Sequence, residues 1–292
     1  MLRLAAGAAL YGCMNYRHGF HAGNFADVVK HATLARIIMH LRAKPAAFRV
    51  IDTHAGAGLY DLTGPQASRT GEWREGIARL LNASLAPAVR ELLVPYLDVV
   101  AAFNSPGALT VYPGSPMLVR AWLRPQDRLI ACELEPDAAA ALAKNLTGPR
   151  SKALAIDGWI ALSAYVPPKE RRGLVLVDPP FEATDDFARL AAALAAAQRK
   201  WATGIYLLWY PIKDRSGPDA LAKRLARLGI AKILRAELTV TRRPDPKRLN
   251  GLGLIVVNPP WTLEGELAIL LPAFAACLGQ GDGGFRLDWI VR

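Results

Sequence analysis

The fold class is decided by residues 48–58, Phe-Arg-Val-Ile-Asp-Thr-His-Ala-Gly-Ala-Gly. The first four residues form a short β-rich run that ends at Asp52, and a glycine-rich turn follows as far as Gly58. A strand that leads directly into such a turn is typical of the opening of a nucleotide-binding α/β unit. We therefore expect a sheet whose ligand site lies at this turn.

The turn leaves two cofactor classes open. A dinucleotide-binding fingerprint needs a third glycine, and Asp61 stands where that glycine belongs. The acidic Asp52 before the glycines agrees better with the turn of an S-adenosylmethionine (SAM) methyltransferase, in which the backbone approaches the methionine part of the cofactor. Taken alone the motif is weak, because an ordinary glycine turn can have the same sequence.

The rest of the chain alternates apolar strands with helices, which predicts an α/β fold with a doubly wound, mostly parallel sheet. The long interval between the first two strands indicates a small helical subdomain at 61–109, inserted into a main domain made of residues 14–60 and 110–292. Asn24 is expected to cap the helix that begins there, and Ser115 to cap the helix that follows it. Strands are predicted at 48–51, 128–132, 153–156, 173–177, 204–209, 232–240 and 253–257, and helices at 24–41, 73–81, 87–103, 138–146, 186–200 and 219–228.

Three acidic residues, Asp52, Glu133 and Asp157, stand at the ends of the first three of these strands. The carboxyl ends of parallel strands meet at the edge of the sheet where ligands bind. At that edge Glu133 can accept hydrogen bonds from both ribose hydroxyls of a cofactor, and Asp157 can accept one from the amine of its adenine. One carboxylate there would be commonplace, whereas three in succession favour a ligand that contains a nucleoside.

The most specific motif is Asp178-Pro179-Pro180-Phe181, directly after the fourth strand. An exocyclic amine is a poor nucleophile because its lone pair is delocalised into the ring. A carboxylate and a neighbouring carbonyl that accept its N–H groups draw the nitrogen toward tetrahedral geometry and direct the lone pair at a methyl donor. The prolines fix the loop, and the aromatic ring can stack on a flipped-out base. The motif predicts amino methylation, with Asp178 as the catalytic carboxylate and Phe181 as the stacking ring.

A second copy of the pattern competes with the first. Asn258-Pro259-Pro260-Trp261 follows the strand predicted at 253–257. In this type of fold that strand usually runs antiparallel and ends at the edge away from the cofactor. We therefore expect the second copy to be structural.

The charge of the chain suggests a polyanionic partner. Lys and Arg number 36 against 25 Asp and Glu, a net charge of +11. Basic clusters at 169–172, 199–200 and 242–248 agree with a phosphate backbone, although a solvated surface explains each one alone. No apolar stretch is long enough to span a membrane. The three cysteines are far apart, so neither a disulfide framework nor a zinc knuckle is expected, and the expected compartment is the cytoplasm.

The N-terminus and the histidines each admit an alternative. Residues 1–13 end at Cys13 and loosely resemble a bacterial lipoprotein signal, but the stretch is short and holds one basic residue. We expect a dispensable extension, with Met14 as the natural start. All five histidines precede residue 55, yet their spacing and the lack of a nearby cysteine disfavour a metal site. No metal is predicted.

Ten stretches of the sequence, taken together, point to a known family. They are Tyr16–Asn24 (YRHGFHAGN), Ala26–Val28, Lys30-His31, Asp52–Gly58, Tyr112–Pro116, Arg171–Leu174, Asp178–Pro180, Ala202–Tyr206, Leu208–Pro211 and Asn258–Trp261. These stretches resemble the RlmJ family, the bacterial SAM-dependent adenine-N6 methyltransferases of 23S ribosomal RNA. The resemblance extends from Tyr16 nearly to the C-terminus, and its opening stretch is far more specific than the glycine turn.

The resemblance implies a class I methyltransferase fold with an inserted helical subdomain, acting as a monomer on 23S rRNA that is protein-free or early in assembly. It implies that the tail at 14–31 closes over the site and that Tyr16, His18 and Lys30 meet the target base. Two departures stand out: Phe181 replaces the more usual Tyr, and residues 1–13 lie outside the pattern. The SAM contacts that the resemblance implies are His31, His54, Ser115, Glu133, Asp157, Gly158 and Asp178.

Two other functions remain as alternatives. A DNA adenine-N6 methyltransferase would use the same chemistry on a different substrate. A catalytically idle RNA-binding protein on the same fold is disfavoured, because every carboxylate that the chemistry needs is present. The rRNA adenine-N6 methyltransferase is the favoured hypothesis, and the chain offers no helix-turn-helix with which to read duplex DNA.

Overall fold

The computed structural model describes residues 18–241, 245 and 248–292. This part of the chain holds ten strands and eleven α-helices, preceded by a short 3-10 helix at His18–Phe20. The strands are β1 (Arg49–Asp52), β2 (Leu59–Asp61), β3 (Val111–Pro113), β4 (Arg128–Glu133), β5 (Ser151–Ala155), β6 (Gly173–Val177), β7 (Ile205–Ile212), β8 (Ile233–Thr239), β9 (Gly251–Val257) and β10 (Gly284–Val291). The helices are α1 (Phe25–Arg42), α2 (Pro65–Thr70), α3 (Glu72–Glu75), α4 (Ile77–Leu81), α5 (Pro87–Ala102), α6 (Ser115–Trp122), α7 (Pro136–Asn145), α8 (Gly158–Ala164), α9 (Asp186–Lys200), α10 (Ser216–Ala226) and α11 (Leu263–Leu278).

Eight of these strands form one sheet in the order β10-β8-β9-β7-β6-β1-β4-β5. The five strands from β7 to β5 are parallel to one another. Strand β9 runs antiparallel to both β7 and β8, and β10 runs antiparallel to β8. The predicted α/β class with a mostly parallel sheet is therefore confirmed. The carboxyl ends of the five parallel strands meet at one edge, which is where this architecture binds ligands.

The central strand and the first helix show why the sequence forms these elements. All five residues of β6 are buried, as expected for a strand covered on both faces. The side chain of Asn24 caps α1 by accepting a hydrogen bond from the Asp27 amide at 3.0 Å, as predicted. Helix α1 is buried on nearly every side because it packs against α5, α6 and α11 as well as the sheet.

The segment between β1 and β4 departs from the expected pattern of long helices. It contains the small sheet β2-β3 and the short helices α2 to α4, and the helix predicted at 73–81 is broken at Gly76. A Cβ at Gly76 would lie 2.1 Å from the carbonyl oxygen of Gly23, so only glycine allows this close approach. Ile77, Leu93 and other apolar residues of the segment join the same core as α1. The division of the chain at 61–109 stays a prediction.

Two further features differ from the sequence analysis. Strand β10 was not predicted, because it lies at the sheet edge with every residue at least partly exposed and so lacks a continuous apolar run. The expected cap at Ser115 was wrong: Gly114 precedes the first turn of α6, and the Ser115 hydroxyl bonds elsewhere. Among the described residues, no helix is long and apolar enough to cross a membrane.

Candidate active site

The carboxyl edge of the sheet borders a cleft of about 560 Å³. It lies beside the glycine turn after β1 and the ends of β4, β5 and β6. Nine of the eleven residues predicted for the site line this cleft. They are His18, Lys30, His31, His54, Ser115, Glu133, Asp157, Gly158 and Asp178.

Glu133 is held in place by the backbone of the cleft. Its Oε2 accepts a hydrogen bond from the Gly56 amide at 2.8 Å, and its Oε1 accepts from the amides of Leu134 and Glu135 at 2.7 and 2.8 Å. Gly56 adopts a φ of +60°, which glycine reaches without strain and which turns its N–H toward the carboxylate. A carboxylate has about four acceptor positions, so Glu133 is fixed and can still accept from a ligand hydroxyl.

The next strand end brings together Asp157, Gly158 and His54. Asp157 Oδ1 caps α8 by accepting from the Trp159 amide at 2.7 Å, and its Oδ2 lies 3.9 Å from Arg189. A Cβ at Gly158 would meet the Thr53 carbonyl oxygen at 2.2 Å, so this position needs glycine. Burial lowers the pKa of His54 to about 4 and keeps the ring neutral at physiological pH. The uncharged His54 ring and Gly158 therefore line the cleft next to the Asp157 carboxylate.

Asp52 lies beneath the glycine turn, completely buried. Its Oδ2 accepts a hydrogen bond from the Ser115 hydroxyl at 2.6 Å, whereas its Oδ1 has no hydrogen-bond partner among the described residues. Burial raises the pKa of Asp52 to about 7. Ser115 therefore faces the cleft and supports this carboxyl group, which explains why it does not cap α6.

The Asp178 carboxylate forms an ion pair with Lys30, which is 3% exposed. Lys30 Nζ also donates to Asp27 Oδ1 at 2.8 Å, and Asp27 Oδ2 lies 3.1 Å from His18 Nε2. Burial by itself would lower the pKa of Lys30, but the charges of Asp178 and Asp27 outweigh it and raise that pKa. Burial by itself would raise the pKa of Asp27, but the charges of Lys30 and then His18 outweigh it and hold that pKa well below its usual value. A chain of ion pairs and hydrogen bonds thus connects α1 to the Asp-Pro-Pro loop.

His31 lies deeper than the other predicted residues. Its Nδ1 is 2.7 Å from the Tyr112 hydroxyl, which in turn lies 2.9 Å from the hydroxyl of Tyr96. Burial lowers the pKa of His31 to about 3, so the ring is neutral. This position suits a neutral lining group.

Phe181 does not line the cleft itself. It borders an adjoining cavity of about 1000 Å³, which shares His18, Lys30 and Asp178 with the cleft. The Phe181 ring packs against Phe187 and Trp209, with centroids 4.8 and 5.6 Å apart, and its backbone has a φ of +53°. The ring is therefore fixed beside the second cavity.

The remaining predicted residues fall into two groups. Tyr16, the extension at 1–13 and the start of the tail at 14–31 lie outside the described residues, as do the basic residues Arg242, Arg243 and Lys247. Asn258 lies at the opposite edge of the sheet, where its Nδ2 donates to the carbonyls of Ala202 and Gly204, both at 2.8 Å. The second Pro-Pro motif therefore lies away from the cofactor edge, as expected, and its purely structural role stays a prediction.

Sequence reasoning missed three contributors to the site. Asp27 belongs to a matched stretch, but nothing in the sequence showed that it would share Lys30 with Asp178. Trp159 contacts His54 with ring centroids 5.4 Å apart, and the Arg189 guanidinium lies 4.6 Å above the Trp159 ring. The only sequence signal for Trp159 and Arg189 was that each follows an Asp predicted to stand at the end of a strand. No cluster of three or more metal-ligating side chains occurs among the described residues.

The strand order, with an antiparallel β9 between β7 and β8, and the cleft at the carboxyl edge define a class I SAM-dependent methyltransferase fold. The RsmJ family model, described as ribosomal RNA large subunit methyltransferase D, RlmJ, matches residues 45–291. The chain belongs to this family.

Individual relatives agree with the family match. The ribosomal RNA large subunit methyltransferase J of Escherichia coli K12 is 41% identical over 280 residues, which cover 95% of this chain and 99% of that protein. The protein of the same name from Haemophilus influenzae is 38% identical over 281 residues, with the same coverage of both chains. A crystal structure of protein LPL1258 from Legionella pneumophila is 32% identical with a TM-score of 0.84, covering 92% of this chain and 98% of that one.

Proposed function

We propose that this chain transfers a methyl group from SAM to the exocyclic N6 of an adenine in 23S rRNA, giving N6-methyladenosine. The observation that carries the proposal is the position of Asp178, which borders both the cleft and the adjoining cavity. Methyl transfer requires a cofactor and a base to meet at one point. A carboxylate at the junction of two cavities provides that point.

The residues of the cleft fit SAM. Bound there, SAM would supply an electrophilic methyl group on a sulfonium. Glu133 would accept hydrogen bonds from the ribose hydroxyls, and Asp157 and Gly158 would contact the adenine. Asp52, with Ser115, lies beneath the glycine turn that would approach the methionine part. His31 and His54 would line the cleft as neutral rings, so they would add no positive charge near a cationic cofactor.

Asp178 would prepare the nucleophile. Lys30 engages its Oδ2, and its Oδ1 makes no hydrogen bond among the described residues, so Oδ1 can accept one N–H of the target amine. The carbonyl of Pro179 can accept the other, because Pro179 and Pro180 restrict the loop and donate no N–H themselves. The nitrogen would then become more tetrahedral, with its lone pair directed into the cleft. Asp178 would also be placed to accept the proton that the amine releases after transfer.

Lys30 would be a positioning residue as well as a contact for the base. Its ion pairs fix Asp178 relative to α1 through charge-assisted hydrogen bonds. His18 lies on the other side of Asp27 and completes this arrangement. Phe181 would stack on the flipped-out adenine in the second cavity, held rigid by Phe187 and Trp209. Tyr16 would reach the same base if the tail closes over it.

Family membership and charge support this choice of substrate. Both relatives are named for the large ribosomal subunit RNA, and a net charge of +11 favours a phosphate backbone. A base in a loop or bulge is the easiest to flip, because little stacking is lost. We place the enzyme in the cytoplasm, acting as a monomer on protein-free or early-assembly 23S rRNA.

The test offers methyl-labelled SAM with protein-free 23S rRNA, 16S rRNA and duplex DNA in parallel, and identifies the product by nucleoside mass spectrometry. The wild type should label 23S rRNA and yield N6-methyladenosine. Asp178→Asn should lower the rate by about 10²–10³, as is typical when one preorganised hydrogen-bonding group is lost, with little change in SAM affinity. Preferential labelling of DNA, equal labelling of all three substrates, or full activity of Asp178→Asn would contradict the proposal.

A further inference from the structure

The edge of the sheet opposite the cleft carries a concentration of positive charge. A cavity of about 560 Å³ lies there, lined by five cations: Arg49, Arg128, Arg150, Lys152 and Lys169. It opens where β1, β4 and β5 begin, so the length of β4 separates it from the cleft. At about 3.3 Å per residue, that separation is roughly 17 Å. The cavity is therefore a site of its own.

The strand register places these cations side by side. Arg49 is the register partner of Arg128. Arg150 lies beside Arg128 in the same way, because the residues that follow them are register partners. Lys152 is the register partner of Ile130, two positions beyond Arg128. Because alternate residues of a strand point to the same face, Lys152 lies on the same face as Arg128. Neighbouring like charges repel each other, and an anion on this face would relieve the repulsion.

The protein neutralises little of this charge. Glu170 accepts a hydrogen bond from Arg49 Nη2 at 2.9 Å, while the buried Nε of Arg49 has no hydrogen-bond partner among the described residues. Arg128 and Arg150 donate to backbone carbonyls at 2.7–2.8 Å, which orient the guanidinium groups but carry no negative charge. In the described part of the chain, the other four cations form no ion pair with a carboxylate. An excess of positive charge remains at fixed positions.

The row extends along four adjacent strands. The turn before β6 adds Lys169 and the exposed Arg171, and β6, β1, β4 and β5 are consecutive in the sheet. At about 4.8 Å between strands, the cations span about 15 Å. A single phosphate is usually bound by donors that converge on one point, whereas cations spread along a line match successive phosphates of a polymer.

We propose that this amino-edge row, consisting of Arg49, Arg128, Arg150, Lys152, Lys169 and Arg171, binds the phosphate backbone of the substrate RNA at nucleotides remote from the target adenine. The proposal rests on the proposed function and adds a second point of attachment to it. The row would hold the RNA without reading its sequence, since phosphate contacts position a nucleic acid and base contacts specify it.

The test uses Lys152→Glu with Lys169→Glu, because both side chains are exposed and form no hydrogen bond or ion pair within the described residues. The matched control is Lys223→Glu with Arg224→Glu, two exposed cations on α10 that give the same change in charge. Thermal unfolding and SAM binding confirm that each variant is folded. The milder Lys152→Gln with Lys169→Gln serves as a second variant of the row.

For a long 23S rRNA fragment, the Glu variant should raise KM at least tenfold with kcat unchanged at saturating RNA. Its plot of log affinity against log salt should be shallower by about 1.5, because two phosphate contacts are lost at roughly 0.7–0.9 each. The Gln variant should change the KM and the salt slope in the same direction as the Glu variant does. The control variant should change neither the KM nor the slope.

Three outcomes would overturn the amino-edge row as an RNA site. The first is that the Glu variant keeps the wild-type KM and salt slope. The second is that the control variant shows an equal effect. The third is that the row binds inorganic tripolyphosphate while the Glu variant binds RNA with the same affinity as the wild type. The last would indicate a site for a compact polyphosphate. Failure of the proposed function is distinguishable, because the wild type would then label no 23S rRNA in the same assay.

Discussion

Glu133→Gln tests whether the carboxylate at the end of β4 binds the cofactor. The substitution preserves size and removes the charge. Both carboxylate oxygens accept backbone N–H groups, from Gly56 on one side and from Leu134 and Glu135 on the other. A glutamine has one oxygen, so its NH₂ group must face an N–H donor on one of the two sides. At least one hydrogen bond is lost whichever way the amide turns.

The expected effect on SAM binding follows from these contacts. Hydrogen bonds to a charged group contribute about 1.5–3 kcal/mol, so the loss of a charged acceptor for the ribose should raise Kd about 10- to 150-fold. Part of this rise in Kd arises because the substituted side chain at position 133 loses at least one of its hydrogen bonds to the backbone and no longer stays in the binding position. Titration calorimetry with SAM measures the affinity directly.

Glu135→Gln is the control for this measurement. Glu135 also lines the cleft, and its Oε2 caps α7 by accepting from the Ala138 amide at 2.6 Å. An amide oxygen can replace that cap, so SAM affinity should stay within about twofold of the wild type. An unchanged Kd for Glu133→Gln, or an equal loss for Glu135→Gln, would refute the assignment of Glu133 to the ribose.

Two predictions concern stability. Because burial raises the pKa of Asp52 from 3.8 to about 7, the folded state keeps a proton that the unfolded state releases, and the free energy of unfolding falls between pH 4 and pH 7 by up to about 4 kcal/mol. Asp52→Asn cannot ionise and should flatten this decline in urea unfolding at pH 4 and pH 8, so parallel pH profiles would contradict the assignment. Asn258→Ala should lower the free energy of unfolding by about 2 kcal/mol, because two hydrogen bonds are lost at a residue with a φ of +52°, while SAM affinity and methylation stay unchanged. Loss of methylation in this variant, if folded, would give the second Pro-Pro motif a part in catalysis.

Much of the fold could be predicted because short stretches of consecutive residues indicate its strands and helix starts. The apolar run of β6 and the Asn24 cap of α1 depend on a few consecutive residues, and the structure has both as expected. Gly76 and β10 could not be predicted in the same way. The break at Gly76 depends on the approach of Gly23, more than fifty residues earlier, and β10 depends on an edge position that only the assembled sheet creates.

The same difference between local and long-range features holds for the candidate site. Glu133, Asp157 and Asp178 could be located from sequence because each stands at a strand end, and strand ends meet at one edge. The partners of those residues could not be located. The ion pair between Lys30 and Asp178 joins residues 148 positions apart, and the hydrogen bond from Ser115 to Asp52 joins residues 63 apart. Only the packing of α1 and α6 against the sheet brings them together.

The two edges of the sheet differ in charge, and this difference bears on how RNA is held. The carboxyl edge carries Glu133, Asp157 and Asp178, which suits a cationic cofactor but repels a phosphate backbone. The net charge of +11 must therefore attract RNA from other surfaces, and the amino-edge row is one with fixed geometry. An RNA attached at that row and delivering one flipped base to the second cavity keeps its phosphates away from the carboxylates. Separation of the two charges along the strands would let one domain bind a sulfonium cofactor and a polyanionic substrate at once.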